Sequence, residues 1–273
     1  LMMKYLSADT NSFLMIVLVV LASVLAGTAF SLLLAVAAIN FKADQTIVGT
    51  AMNMLGTAAA TVFVKAINTA ESPDNVSSTI QYINEKKAFL VNIGSFEFNW
   101  FMLLTALLLA GSYILLYKTR FGLRLMACGE HPQAADSVGI NVYKMRYAGV
   151  LISGVLGGLG GIVYITAGVS EWKFEMGVAG FGFLALAVMI FGNWKPLNIA
   201  VVGFLFGLLK CVSACSGTLD INGDGVFLLA QIGVSTYVYN MLPYVITLVV
   251  LAFTSKKSRA PKAEGIPYDK GQR

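Results

Sequence analysis

The stretch "CGEHPQAADSVGIN", Cys128–Asn141, decides how this chain is read, because it is a polar interruption between long apolar runs. It carries the only histidine, His131, with two acids, Glu130 and Asp136, and a proline, Pro132. Around it the 273-residue chain is 57% hydrophobic and 12% charged, with a mean hydropathy of +0.75. Soluble domains run at about 45–50% apolar and about 25% charged. The composition therefore points to a bilayer, and the polar stretch becomes a loop at a membrane face.

A helix needs about 20 mostly apolar residues to span, since every backbone amide in lipid must be satisfied internally. Seven segments approach that length: Phe13–Ile39, Gln45–Ile67, Trp100–Tyr117, Tyr147–Gly168, Gly180–Trp194, Leu197–Cys215 and Tyr239–Thr254. The expected fold class is all-α and polytopic, with residues 1–254 as the membrane domain and 255–273 as a basic tail. The fifth and seventh segments are short, so they are expected to be tilted, broken or shielded. Leu228–Tyr237 is too short to cross and reads as re-entrant or interfacial.

Cytoplasmic loops collect Lys and Arg. With the Asn141 loop inside, the inner set is Phe41–Asp44, Lys118–Arg146, Lys195 and the tail from Ser255. It holds 13 of the 19 basic residues and 5 of the 14 acidic ones. This places residues 118–146 in the cytoplasm and the polar loop 68–99 outside, as a surface cap or a disordered linker. It also places Leu1 outside, which is the expectation for a chain whose first helix is missing. The basic excess forms no separate basic domain, so nucleic acid is not an expected partner.

Within the Lys118–Arg146 loop, Pro132 stands where a first helical turn starts, alanines follow, and Gly139 stands where a short helix would stop. A helix this polar and short suits a surface that buries against a partner; the alternative is a solvated inter-helix loop.

The run "RLMACGEHPQAADSVGINVYKMRYAGVLISGVLGGLGG", Arg124–Gly161, closely resembles a loop and helix of the permease subunits of bacterial ABC importers, in the branch for ribose-type sugars, branched-chain amino acids and nucleosides. Together with "GFGFLALAVMIFGNWKPLN" (Gly180–Asn198) and "MLPYVITLVVL" (Met241–Leu251), it is most similar to nucleoside permeases that work with a basic-membrane-protein-like lipoprotein receptor. The resemblance covers about Ile47 to Thr254. The first part of the family fold is missing, and His131 stands where asparagine is commoner.

The resemblance implies that this loop carries a coupling helix that seats in a groove of a separate ATPase subunit, which binds ATP and magnesium. Glu130 and Asp136 would offer acceptors to that partner, Ala134 and Ala135 would permit close approach, Pro132 would start the helix, and Gly129 and Gly139 would set the flanking turns. It further implies a second, homologous or identical permease subunit, an extracytoplasmic substrate-binding lipoprotein, and a location in the cytoplasmic membrane. Nucleoside is the expected substrate, with simple sugars or branched-chain amino acids as alternatives. An ion-coupled secondary transporter is the rival of another class, and the spans hold almost none of the ionisable residues it would need.

Polar side chains at membrane depth mark candidates for a substrate path. Asn53, Gln231 and Asn240 are amides able to donate and accept, while Phe181, Phe183 and Tyr237 could stack on a base. Interhelical hydrogen bonding or packing is the competing reading for each. Breaks in the helices around Gly49–Gly56 and Gly180–Gly182 would suit such a site. Lys210 reads as snorkelling to the outer interface. "SGVLGGLGG", Ser153–Gly161, offers small residues for close helix packing, internal or against a second permease. "DINGDG", Asp220–Gly225, imitates half a calcium loop, but Gln231 stands at its twelfth position. Cys211 and Cys215 share a helical face without further ligands, which suits packing better than metal. No nucleophile elbow, HExxH or Walker sequence occurs, so no catalytic residue is assigned and ATP hydrolysis belongs elsewhere.

Overall fold

Helices satisfy their own backbone amides, which is what lipid demands, and they dominate the computed structural model. It describes residues 12–81, 90–93, 96–165, 171–173, 180–215, 238, 241–242, 244–246, 248–249 and 260–270. Helix α1 (Ser12–Ala35) continues as a π-helical turn (Val36–Asn40), and α2 (Gln45–Glu71) begins after a four-residue turn. Then come α3 (Trp100–Lys118), α4 (Arg120–Glu130), α5 (Pro132–Ser137), α6 (Val142–Val163), α7 (Phe181–Phe191) and α8 (Pro196–Cys215).

Among the described residues, five helices are long and apolar enough to cross a membrane: Ile16–Asn40, Gln45–Glu71, Trp100–Lys118, Val142–Val163 and Pro196–Ser213. Their apolar side chains point outward, as Leu25, Phe63 and Phe204 do at 61%, 68% and 68% exposure, which suits lipid as solvent. The expected fifth span, Gly180–Trp194, yields only the 11-residue α7. At about 1.5 Å per residue that is about 16 Å, half of a hydrocarbon core of about 30 Å. The expected seventh, Tyr239–Thr254, lies largely outside the described residues.

One further expectation is corrected. Helix α2 runs unbroken through Gly49–Gly56, because its neighbouring Ala, Met and Leu residues sustain the helix. The chain also contains strands: β2 (Leu90–Ile93) pairs antiparallel with β3 (Phe96–Asn99), and β1 (Thr79–Gln81) with β4 (Glu171–Lys173). Alternation in "FEFN" is the period-two pattern of a strand, and both pairs lie outside the candidate spans.

The chain divides into two units, residues 1–177 with 261–273, and residues 178–260. In the first, α1 and α6 pack most closely, through glycines. A Cβ at Gly27 would lie 2.5 Å from the Gly154 carbonyl oxygen and 2.9 Å from Gly158 Cα, and one at Gly158 would overlap the Ser23 carbonyl. The Ser23 hydroxyl donates to the Gly158 carbonyl at 2.6 Å. Gly154 and Gly158 therefore serve internal packing, while Gly157 and Gly161 face open space. In the second unit α7 and α8 form a hairpin around Leu184, Val188 and Phe206, with Phe191 stacked on Phe206 at 6.0 Å.

Candidate functional site

At one end of the first unit, the α1–α2 turn, α4, α5, the start of α6 and residues 260–270 gather together. Thr119 makes the elbow from α3 into α4: its hydroxyl donates to the Leu115 carbonyl at 2.6 Å and accepts from the Gly122 amide at 3.1 Å. His131 is a joint between two helices. Its amide closes α4 on the Ala127 carbonyl at 3.0 Å, and its carbonyl accepts the Ala135 amide at 3.0 Å. Pro132 occupies the first turn of α5, where its missing N–H costs nothing.

Gly139 ends α5 with φ +84°, the left-handed conformation that a side chain resists. Its amide donates to the Asp136 carbonyl, and the Ile140 amide reaches back to the Ala135 carbonyl. Those paired bonds are a Schellman motif. Asn141 then caps α6, its side-chain oxygen accepting the Lys144 amide at 3.0 Å, which is why α6 starts at Val142 rather than Tyr147.

These caps fix which side of the loop faces out. Cys128, Pro132, Ala135 and Val142 are buried, and Cys128, Ala135 and Val142 form one core with Tyr268. Glu130, His131, Gln133, Ala134, Ser137 and Val138 are exposed, with Val138 at 74%. Within α5 and its C-terminal cap, Gln133, Ala134, Ser137 and Val138 repeat at three- and four-residue spacing, as one helix face should, while Glu130 stands at the end of α4, beyond the His131 joint. Of the predicted set, Glu130, Ala134 and Gly139 are exposed. Ala135 packs within this chain, and Asp136 is half-buried. Gln133 and Val138 complete the face and were not singled out from sequence; only the helical repeat counted from Ala134 within α5 could have found them.

Burial pushes the Cys128 thiol up from its ordinary range. Burial, followed by the Asp136 carboxylate, does the same to the Tyr268 phenol. The Asp44 carboxylate, which accepts the Thr46 and Ile47 amides at 2.8 and 3.1 Å as the cap of α2, is held below its usual value by those bonds.

Of the substrate-path candidates, Asn53 and Phe183 fall on described residues, one in each unit. Asn53 lies on an exposed face of α2 in the first unit, and Phe183 is 74% exposed on α7 in the second. Gln231, Tyr237, Asn240 and the "DINGDG" stretch lie outside the described residues. Lys210 is engaged with aromatics: its Nζ sits 5.3 Å from the Phe181 ring and 5.1 Å from the Tyr244 ring, and 3.5 Å from the Tyr244 hydroxyl.

Residues 3–251 match the model of a family described as "Branched-chain amino acid transport system / permease component". The chain is 39% identical over 261 residues to a guanosine ABC transporter permease of Bacillus subtilis, covering 93% of this chain and 77% of that one. It is 38% identical over 261 residues to a nucleoside ABC transporter permease of Lactococcus lactis, covering 93% and 78%. A second nucleoside ABC transporter permease of the same Lactococcus strain is 23% identical over 159 residues, covering 58% and 42%. No solved structure matches the chain.

Proposed function

The chain belongs to the family of branched-chain amino acid transport system permease components, and on that premise we propose that it forms part of the translocation path of an ATP-driven nucleoside importer, coupled to its ATPase through α5. It is a multi-pass protein of the cell membrane and a permease subunit, not an enzyme; the ATPase is a separate subunit. Its partners are ABC transporter subunits, an ATPase and another permease.

Nucleoside is the proposed substrate because the two relatives matched over 93% of the chain are named for guanosine and for nucleosides. Two distinct nucleoside permeases in one Lactococcus strain both resemble this chain, which supports a homologous rather than identical second subunit. We further assign to the complex an extracytoplasmic lipoprotein receptor, ATP and magnesium on the ATPase, and seven spans counted with α7 and the 239–254 segment. The alternatives are simple sugars and branched-chain amino acids, the latter named in the family description.

The observation that carries the coupling role is the outward stripe of α5. It presents an amide, small residues and the 74%-exposed Val138 on a helix too short to stand alone, set between the His131 joint and the Gly139 turn, with the acid Glu130 beside it at the end of α4. Glu130 and Gln133 are suited to basic and amide groups of the ATPase, Ala134 to close approach, and Val138 to an apolar pocket. ATP binding would then supply the differential affinity that shifts the spans between outward and inward access. Asn53, Phe183, Gln231, Tyr237 and Asn240 stay as proposed contacts along the path.

A bifunctional thiol reagent tests the coupling face. Cysteines at Ala134 and Val138 should cross-link to a cysteine in the ATPase groove, and one at Ala135 should not. Cross-linking at Ala135 alone, in an active complex, would contradict the orientation and with it the coupling role.

A further inference from the structure

The C-terminal segment has no part in the function proposed above, yet it is anchored to every element at the loop end. Ala263 donates its amide to the Gly129 carbonyl at 2.9 Å, at the end of α4. Arg146 Nη1 of α6 donates to the Ile266 carbonyl at 2.9 Å. Lys42, in the α1–α2 turn, pairs with Asp269 at 3.1 Å. Tyr268 is 4% exposed among Cys128, Ala135 and Val142, with the Tyr143 ring edge-on at 5.3 Å and the Arg146 guanidinium 5.9 Å from its centroid. The Asp136 carboxylate of α5 adds to burial in holding the Tyr268 phenol protonated.

A solvated basic tail has no reason to bury a tyrosine, because fixing a chain segment costs conformational entropy at every residue. Nor would it answer four separate elements with four kinds of contact. The surroundings say what the ordering achieves. Pro261–Gly265 form one wall of a cavity of about 470 Å³ whose other walls include Ala38, Gln45, Gly49 and Gly149. Leu125 and Gly129 of α4 and Arg146 and Val150 of α6 line the same cavity, so the tail closes one side of it and adds support to the loop between them.

We propose that Pro261–Asp269 is a strut of the coupling machinery: it seats α5 through Tyr268 and ties it to the α1–α2 turn through Lys42 and to α6 through Arg146, so that displacement of α5 moves the spans. Tyr268 is a positioning residue, acting on the ATPase only through the inner face of α5. This inference rests on the ABC permease reading, and its consequence is a coupling ratio rather than an uptake rate. A loosened α5 still lets the ATPase dock and hydrolyse, but its movement is absorbed at the loop.

The test is the amount of guanosine transported per ATP hydrolysed in proteoliposomes holding this permease, its second permease, the ATPase and the receptor. Tyr268→Ala should lower that ratio by about tenfold, equivalent to about 1.4 kcal/mol of positioning. Tyr268→Phe, which keeps the ring and its packing, should stay within about threefold of wild type, the difference being at most one polar contact of the hydroxyl. On the exposed Lys42–Asp269 pair, K42D and D269K should each lower the ratio and the double swap should restore it. This arm decides the matter if Tyr268→Ala fails to reach the membrane. An unchanged ratio in Tyr268→Ala, or in both charge variants, overturns the strut. ATP-independent uptake by the wild type would instead overturn the importer reading, and the strut with it.

Discussion

Replacing Gly158 by leucine tests the packing on which the whole loop end is built. A Cβ there would overlap the Ser23 carbonyl and come within 3.1 Å of Val24 Cα, backbone that cannot step aside. The substitution forces α1 and α6 apart, and overpacking of this kind costs about 1–3 kcal/mol. It also breaks the 2.6 Å bond from the Ser23 hydroxyl to the Gly158 carbonyl, and interhelical bonds in a bilayer contribute about 0.6 kcal/mol. Together these give about 2–3 kcal/mol. At about 2–4 °C per kcal/mol for a chain of this size, the midpoint in detergent should fall by about 5–10 °C. Gly157 is the internal control, since a Cβ there meets nothing within 4 Å; Gly157→Leu should leave the midpoint within a few degrees, because leucine is the better helix former. Thermal unfolding followed by size-exclusion chromatography of the heated protein reads both. Equal losses in the two variants would refute the assignment of Gly158, rather than Gly157, to the α1–α6 contact.

Further outcomes follow from the loop end. Cys128 is 3% exposed with its thiol pushed up by burial, so a membrane-permeant maleimide at pH 7 should label it far more slowly than in the denatured protein; equal rates would mean that the Tyr268 core is open. Asn141→Ala removes the cap of α6 and should cost about 1 kcal/mol in thermal stability, with no change placing the start of that helix elsewhere. Gly139→Ala imposes a side chain at φ +84° and should destabilise by about 1–2 kcal/mol, read in the same melt. For Asp44, the bonds that lower its pKa mean that the cap is fully present above the ordinary carboxylate value of 3.8 and is lost as pH falls through the lower folded value. The stability gap between wild type and Asp44→Ala should therefore be open at pH 7 and shrink below about pH 4; a gap that widens with acid would reverse the assignment.

The helices were legible because spans are set by length and hydropathy, which need no partner to be read. The short helix at Pro132–Ser137 was legible for a related reason: proline and glycine act locally, through φ, and Gly139 adopts the left-handed turn its position implies. What faces inward was not legible. Ala135 and Asp136 look as available as Ala134 until Tyr268, 132 residues beyond Asp136, is folded beneath them. "GIPYDKG" reads as polar tail by composition, since one buried tyrosine leaves no periodic signal. The glycines of α2 misled for the opposite reason: in "GTAMNMLGTAAAT" the flanking residues outweigh them and the helix continues. Gly180, by contrast, does adopt φ +78° at the start of α7, the break that its position implied.

Uptake of radiolabelled guanosine by cells expressing the permease with its second permease, ATPase and receptor, alongside cells with a hydrolysis-dead ATPase, tests the central claim most directly. An ATP-driven nucleoside importer gives uptake that vanishes with the dead ATPase and is competed by excess uridine but not by ribose or leucine. Uptake that persists with the dead ATPase would contradict it.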